Sequence, residues 1–156
     1  VNPSVYQSRE TPVPLKAAYM RKDLTDWARL VGLDIHFPPP VFPVNSVKAM
    51  RGAYLALDAG LLVPYAREVF KQYWTDLVDI SQDDALASIA VSVGFTREQF
   101  FDGIASQSCK DRLRQATEEV VARGGYGSPT LFLNSDDMYF GNDRIDLMLS
   151  RITSRA

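Results

Sequence analysis

Histidine and cysteine each occur once in these 156 residues, as His36 and Cys109. That scarcity removes whole classes of chemistry. A single cysteine forms no intrachain disulfide, no Cys-x-x-Cys redox pair and no thiolate zinc cluster, so dithiol exchange within this chain is excluded. Cys109 stands at the polar start of a helical pattern, where it reads as a partly buried structural cysteine rather than a reactive thiolate. His36 precedes Phe37 and three prolines, so it belongs to a turn, and no second histidine is near it to share a metal. Long apolar runs are missing too: none approaches the ~20 residues needed to span a bilayer. The opening Val1-Asn2-Pro3-Ser4 has neither the charged nor the apolar region of a secretory leader. A strong charge of either sign is also absent. With a net charge of −2 and its basic residues scattered among acidic ones, the chain offers no electrostatic footprint for nucleic acid or an anionic membrane.

What the chain does have is apolar content, 46% of its residues, enough for one domain with a proper core and a helical subdomain. Val1 to Pro14 carries three prolines and reads as a wrapping loop. Leu15 to Leu33 repeats apolar residues near helical spacing and stops at Gly32. Pro38, Pro39, Pro40 and Pro43 force an extended turn, after which Asn45 or Ser46 caps a helix that runs to Gly60. A helix is predicted from Val63 to Val78, with Tyr65, Val69, Phe70, Tyr73, Trp74 and Leu77 on one broad aromatic face. Such a face is more often core than a platform for stacking a cofactor. Asp83-Asp84 opens the next helix, Thr96-Arg97-Glu98-Gln99 is a capping-box start for a short one to Ala105, and Cys109 to Arg123 ends at Gly124-Gly125.

The most informative stretch follows that helical run. Ser128-Pro129 leads the strand formers Thr130 to Leu133, a tight turn spans Asn134 to Asp137, and a second strand ends at Phe140-Gly141. Proline can open a strand or lie at its edge, and a cis Ser128-Pro129 bond would turn the Ser128 backbone outward, free to pair with a peptide. Asn142 or Asp143 reads as the N-cap of a helix from Arg144 to Ile152, whose free N–H groups would attract a carboxylate or phosphate. Together these features suggest a small, peptide-like, anionic ligand. The plainer alternative is an ordinary hairpin followed by an ordinary cap. Two strands alone are marginal, so the hairpin looks like part of a larger sheet.

From Asn2 to Ile152 the chain resembles the kappa-class glutathione transferases and the bacterial 2-hydroxychromene-2-carboxylate isomerases, within the DsbA-like branch of the thioredoxin superfamily. The matching pieces are Lys16-x-x-Tyr19-Met20-x-x-Asp23-Leu24, Ile35-His36-Phe37-Pro38, Ser46-x-x-Ala49-Met50-Arg51, Tyr126-Gly127-Ser128-Pro129 and Phe140-Gly141-Asn142-Asp143-Arg144. The resemblance implies an α/β class, a thioredoxin-like sheet with a large all-helical insertion. It divides the chain into an amino-terminal loop and helix (1–44), a helical insertion (45–106) and a carboxyl-terminal thioredoxin-like part (107–156).

The resemblance also implies that glutathione is the cofactor. Ser128, beside Pro129, would pair through its backbone with the cysteinyl part. Asn142 and Asp143 would hold the γ-glutamyl end, with Phe140 and Gly141 shaping the turn. Asn2, Arg9 and Lys16 are the candidates for binding the aromatic carboxylate substrate, against the alternative of a solvated loop and a helix-starting lysine. The implied reaction is addition of the glutathione thiolate to a conjugated carbon, ring opening, rotation and departure of the thiol. The family's thiol-activating serine sits at the end of a first strand with no counterpart here, and Ser4 and Ser8 lie in the wrong context to replace it. The chain therefore looks like a relative lacking about forty to fifty leading residues, the strand–helix unit. On that reading the chain alone has no turnover, and its open sheet edge is covered by a neighbouring chain, a retained peptide or a rearrangement. A cytoplasmic homodimer is the expected setting. The alternatives are a kappa-like transferase or peroxidase, a non-catalytic peptide-binding thioredoxin-like module, or a folded but inactive fragment.

Overall fold

The computed structural model describes residues 13–153, which form two compact units, 13–113 and 114–153. The first unit is helical. Helix α1, Pro14–Val31, has proline in its first turn and stops at Gly32, which takes the left-handed conformation (φ 69°). There the Leu33 N–H donates to the Ala28 carbonyl at 2.8 Å, satisfying one of the carbonyls a helix end leaves open. Only Ala28 of this helix is buried.

Helices α2 (Val47–Asp58), α3 (Leu62–Trp74), α4 (Asp83–Ser92) and α5 (Arg97–Ala105) enclose the core. Asn45, one of the two caps expected for α2, accepts from the Val47 N–H through its side chain at 3.2 Å. Thr96 and Gln99 form the expected capping box at the start of α5. The centre of the core is made by Tyr65, Leu86, Ile89 and Phe100, all fully buried. Small residues on α2, namely Ala49, Gly52 and Ala56, let these large side chains approach its backbone. A Cβ placed on Gly52 would lie 2.2 Å from the Tyr65 hydroxyl oxygen and 2.6 Å from the Phe100 ring. The Tyr65 hydroxyl donates to the Ala49 carbonyl at 3.0 Å, so the buried phenol is satisfied.

The broad aromatic face expected on α3 is divided. Tyr65, Val69 and Tyr73 are buried, whereas Phe70 is 62% exposed and Trp74 half-buried. Successive residues turn through about 100°, so neighbours such as Tyr73 and Trp74 cannot share the centre of one face. The helix also ends earlier than its apolar pattern suggests. The Thr75 and Asp76 N–H groups both return to the Lys71 carbonyl, and Leu77 takes φ 58°. An ion pair between Lys71 and Asp76, 2.6 Å, closes that turn.

The segment between α1 and α2 is pinned to the end of α3. The His36 N–H donates to the Trp74 carbonyl at 2.8 Å, the Thr75 hydroxyl to the Asp34 carbonyl at 2.6 Å, and the Tyr73 hydroxyl to the Val41 carbonyl at 2.9 Å. Phe37 and Phe42 meet edge to face, their centroids 5.2 Å apart, and both contact Trp74. The Phe37–Pro38, Phe42–Pro43 and Ser128–Pro129 bonds are cis.

Helix α6, Gln107–Ala122, begins in the first unit and ends in the second. Cys109, buried in its first turn, points its Sγ at the Arg51 carbonyl, 3.5 Å away. Burial pushes the thiol above its ordinary pKa despite the opposing pull of Arg51 and Arg112, so it stays protonated, as a structural cysteine does. In the second unit, β1 (Thr130–Leu133) pairs antiparallel with β2 (Asp137–Phe140), in a register running from Thr130 opposite Phe140 to Leu133 opposite Asp137. Asn134 turns the hairpin at φ 57°. A 3-10 turn, Asn142–Arg144, leads into α7, Ile145–Thr153.

Two stability outcomes follow from this core. Gly52→Ala forces Tyr65 and Phe100 apart and is expected to cost ~1–3 kcal/mol in denaturant unfolding; an unchanged midpoint would show that the rings yield freely. Tyr65→Phe should cost about 1 kcal/mol near neutrality. Burial raises the Tyr65 pKa, so the folded phenol holds its proton where an unfolded one, with pKa of about 10, releases it. That contribution is complete below pH of about 10 and is lost as pH climbs from there through the raised folded value. Tyr65→Phe should therefore flatten the alkaline fall in stability, leaving the smaller slope from Tyr73, whose pKa burial also raises. Urea titrations across the alkaline range compare the two slopes directly.

Candidate functional site

The second unit is organised around its hairpin. Arg123, just past α6, lays its guanidinium over the Phe132 ring, 3.7 Å from the centroid. It also donates to the Asn134 and Ser135 carbonyls and pairs with Glu119 at 3.0 Å. One side chain thus fixes the end of a helix, a strand and the hairpin turn. On the far strand the Tyr139 hydroxyl donates to Asp137 at 3.1 Å and receives Arg151 Nε of α7 at 3.4 Å, contacts that raise the Arg151 pKa.

Opposite the turn, the ends of the two strands come together. The Gly141 N–H donates to the Pro129 carbonyl at 3.0 Å, joining the Ser128-Pro129 corner to the Gly141-Asn142-Asp143 turn. Tyr126 packs on Phe140 with centroids 4.6 Å apart. Gly127 passes beneath the same ring, where a Cβ would lie 2.7 Å from it. The Thr130 hydroxyl closes the corner by donating to the Gly127 carbonyl at 2.6 Å. Ser128 is exposed, and neither its N–H nor its C=O makes a hydrogen bond among the described residues. A donor and an acceptor on one exposed residue are what an extended peptide would pair with.

The cap after β2 differs from expectation. Neither Asn142 nor Asp143 is an N-cap. Both lie inside a 3-10 turn whose N-cap is Gly141, and α7 begins only at Ile145. The cause is Gly141 itself, at φ 111° and ψ 148°, a region open essentially to glycine. Its bare Cα lets the Asp143 carboxylate fold back, so that a Cβ there would lie 2.5 Å from Asp143 Oδ1. The other oxygen faces Arg144 at 3.2 Å. Asp143 stays about half exposed, so its carboxylate can still meet a cation.

Ser128, Pro129, Phe140, Gly141, Asn142 and Asp143 therefore fall together in one unit. Lys16 is an exposed residue of α1 in the other unit, and Asn2 and Arg9 lie outside the described residues. The sequence reading placed Tyr126 in the Tyr126-Gly127-Ser128-Pro129 motif without giving it a role at the corner, and did not single out Arg123, which holds the hairpin turn at the other end of the strands. Tyr126 had a visible signal, an aromatic two residues before Ser128, whereas nothing local announces that Arg123 reaches the turn.

The model of the DSBA-like thioredoxin domain matches residues 2–153. The chain belongs to that family. Its mostly helical build with one small sheet is a DsbA-like thioredoxin fold with a helical insertion. Over 134 residues it is 29% identical to the 2-hydroxychromene-2-carboxylate isomerase of Pseudomonas sp. (strain C18), a match covering 86% of this chain and 61% of that protein. Over 148 residues it is 28% identical to glutathione S-transferase kappa 1 of Homo sapiens, covering 87% and 66%. A solved 2-hydroxychromene-2-carboxylate isomerase superposes with a TM-score of 0.78 at 27% identity, over 90% of this chain and 67% of that one. The chain thus spans about three-fifths to two-thirds of the length of these curated DSBA-like relatives.

The Gly141 conformation yields a test. Gly141→Ala places a methyl group against Asp143 in a backbone region that alanine avoids, and should destabilise the corner by ~1–3 kcal/mol. Hydrogen exchange of the β1 and β2 amides should accelerate correspondingly; unaltered protection would mean that the turn relaxes without strain.

Proposed function

We propose that this domain binds glutathione at the Ser128–Asp143 corner and serves a glutathione-dependent isomerase of 2-hydroxychromene-2-carboxylate-type aromatic acids. The observation that carries the reading is the Gly141 to Pro129 hydrogen bond, 3.0 Å, which holds an unused backbone donor–acceptor pair beside an accessible carboxylate. Those groups fit the ligand. The Ser128 N–H and C=O would pair with the cysteinyl backbone, Asp143 would receive the γ-glutamyl ammonium, and Asn142 would donate to its carboxylate. Phe140, fixed by Tyr126 and Gly127, holds the turn that presents them. When bound, glutathione supplies a thiolate able to add to a conjugated carbon and leave again. The work of these residues is to orient the tripeptide and keep its ends paired while the thiol is used.

On the family resemblance a serine activates the thiol, and none of Ser128, Asn142 and Asp143 is proposed for that role. Asn2, Arg9 and Lys16 are carried in this proposal as the contacts of the substrate carboxylate. The division into 1–44, 45–106 and 107–156, the cytoplasmic setting and the homodimer belong to the same proposal. A kappa-like transferase is the second reading, favoured by an identity to the human transferase, 28%, that nearly equals the 29% to the isomerase.

Calorimetric titration with glutathione is the direct test. Asp143→Ala should weaken binding by ~1–3 kcal/mol, the range for losing a hydrogen bond to a charged group. Unchanged affinity would mean that Asp143 serves only the turn. With glutathione present, turnover of a hydroxychromene carboxylate by a protein that also carries the thiol-activating serine separates the isomerase from the transferase, which would instead conjugate a general electrophile.

A further inference from the structure

The outward face of α3 is apolar along its middle and mixed in charge around it. Val63, Arg67, Phe70 and Trp74 recur at intervals of four, three and four, which places them on one stripe of the helix. Val63, Arg67 and Phe70 of that stripe are exposed and Trp74 is half-buried. With the 33–35 segment this face encloses a half-open groove of about 470 Å³, whose lining includes two cations, Arg67 and Lys71, and two carboxylates, Asp34 and Glu68. We propose that the face is an isologous interface with a second copy of this chain, in which α3 packs antiparallel on its counterpart and Arg67 of each copy meets Asp34 of the other.

The spacing of the stripe is that of a seam by which helices pack on one another. A two-fold axis crossing α3 beside Phe70 brings the two Phe70 rings together and lays each Arg67 opposite the Trp74 end of the other helix. Asp34 is held at that end. The Thr75 hydroxyl donates to its carbonyl at 2.6 Å, and the His36 N–H two residues on donates to the Trp74 carbonyl at 2.8 Å. Arg67 and Asp34 therefore meet across the axis twice, as isologous symmetry requires.

The mixed charge decides the occupant. A small anion would meet Asp34 and Glu68, and a small cation would meet Arg67, whereas a surface bearing the same charges in reverse order meets opposites at both ends. The remaining charges of the lining are engaged within the chain. Lys71 pairs with Asp76 at 2.6 Å, and Glu68, turned about 100° from Arg67 round the helix, accepts from Gln72 at 3.0 Å. Asp34 faces His36 Nε2 at 3.4 Å, and its side chain remains largely exposed. A helix of 13 residues is roughly 20 Å long, so the interface is small and should dissociate at micromolar concentration.

The inference rests on the homodimer proposed above and not on glutathione binding. Sedimentation equilibrium of the full chain without glutathione is the test. Expected is a dimer that forms reversibly with rising concentration. Phe70→Asp sets a carboxylate against its own copy at the axis and should weaken association at least tenfold. Arg67→Asp and Asp34→Arg each place like charges opposite one another, and each should weaken it about tenfold. Mixed in equal amounts, those two variants should regain the parent's association, because every cation in the mixed pair again meets a carboxylate. A chain that stays monomeric at millimolar concentration overturns the inference and the homodimer together. A dimer that Phe70→Asp leaves intact lies on another face and overturns the inference alone, as does a mixture no tighter than its components. Asp34, Arg67 and Phe70 are exposed, so all three variants should fold, which circular dichroism verifies.

Discussion

The helical unit depends on a close approach at Gly52. Because α2 carries no side chain there, the Tyr65 hydroxyl and the Phe100 ring occupy the volume a methyl group would need. Each large apolar side chain buried in this way contributes about 1.5–3 kcal/mol. The steric fit has a directional consequence. The Tyr65 hydroxyl bond to the Ala49 carbonyl sets the rotation of α3 about its own axis. Once Tyr65, Val69 and Tyr73 face inward, Arg67, Phe70 and Trp74 must face outward on a helix of 3.6 residues per turn. The core contact and the outward face of α3 are two sides of one orientation.

The carboxyl-terminal unit is built on a different principle. Its hairpin has four residues in each strand, and only Tyr139 of it is buried, so packing alone holds little. Order comes from specific polar contacts. Arg123 joins the end of α6 to the hairpin turn, and the Gly141 N–H joins the ends of the two strands. Ile145, Leu147, Leu149 and Ile152 of α7 all remain exposed. A lightly buried unit with an unused backbone pair at Ser128 suits recognition of an extended ligand. Regions that bind are generally drawn from the less tightly packed parts of a fold.

Membership of the DSBA-like thioredoxin family narrows the chemistry without choosing it. Relatives named as isomerase and as transferase stand at almost the same identity. A small difference in identity says nothing about which electrophile meets a thiol. That depends on what surrounds the acceptor. Cys109 adds no redox route within the chain, since it is the only cysteine and its thiol is held protonated by burial.

Local chemistry was readable from the chain itself. The Thr96–Gln99 capping box, the stop at Gly32, the hairpin after Pro129 and the adjacency of Ser128 to the Gly141–Asp143 turn all involve residues close in sequence or in a single register. Hydrogen-bond partners at such short separation are dictated by residue type and spacing. The division of the α3 aromatics was not readable, because Tyr73 and Trp74 differ only in angle about an axis whose orientation Gly52 and Phe100, far off in sequence, determine. The end of that helix at Trp74 rather than Val78 likewise follows from the Lys71–Asp76 pairing and the His36 and Thr75 bonds. The cap after β2 went unread because the positive φ of Gly141 moves the capping role off Asn142 and Asp143. The sequence by itself determined the elements and the hairpin that carries the proposed site. Tertiary structure decided which aromatics of α3 face water and which are buried, because that depends on contacts between segments that only folding brings together.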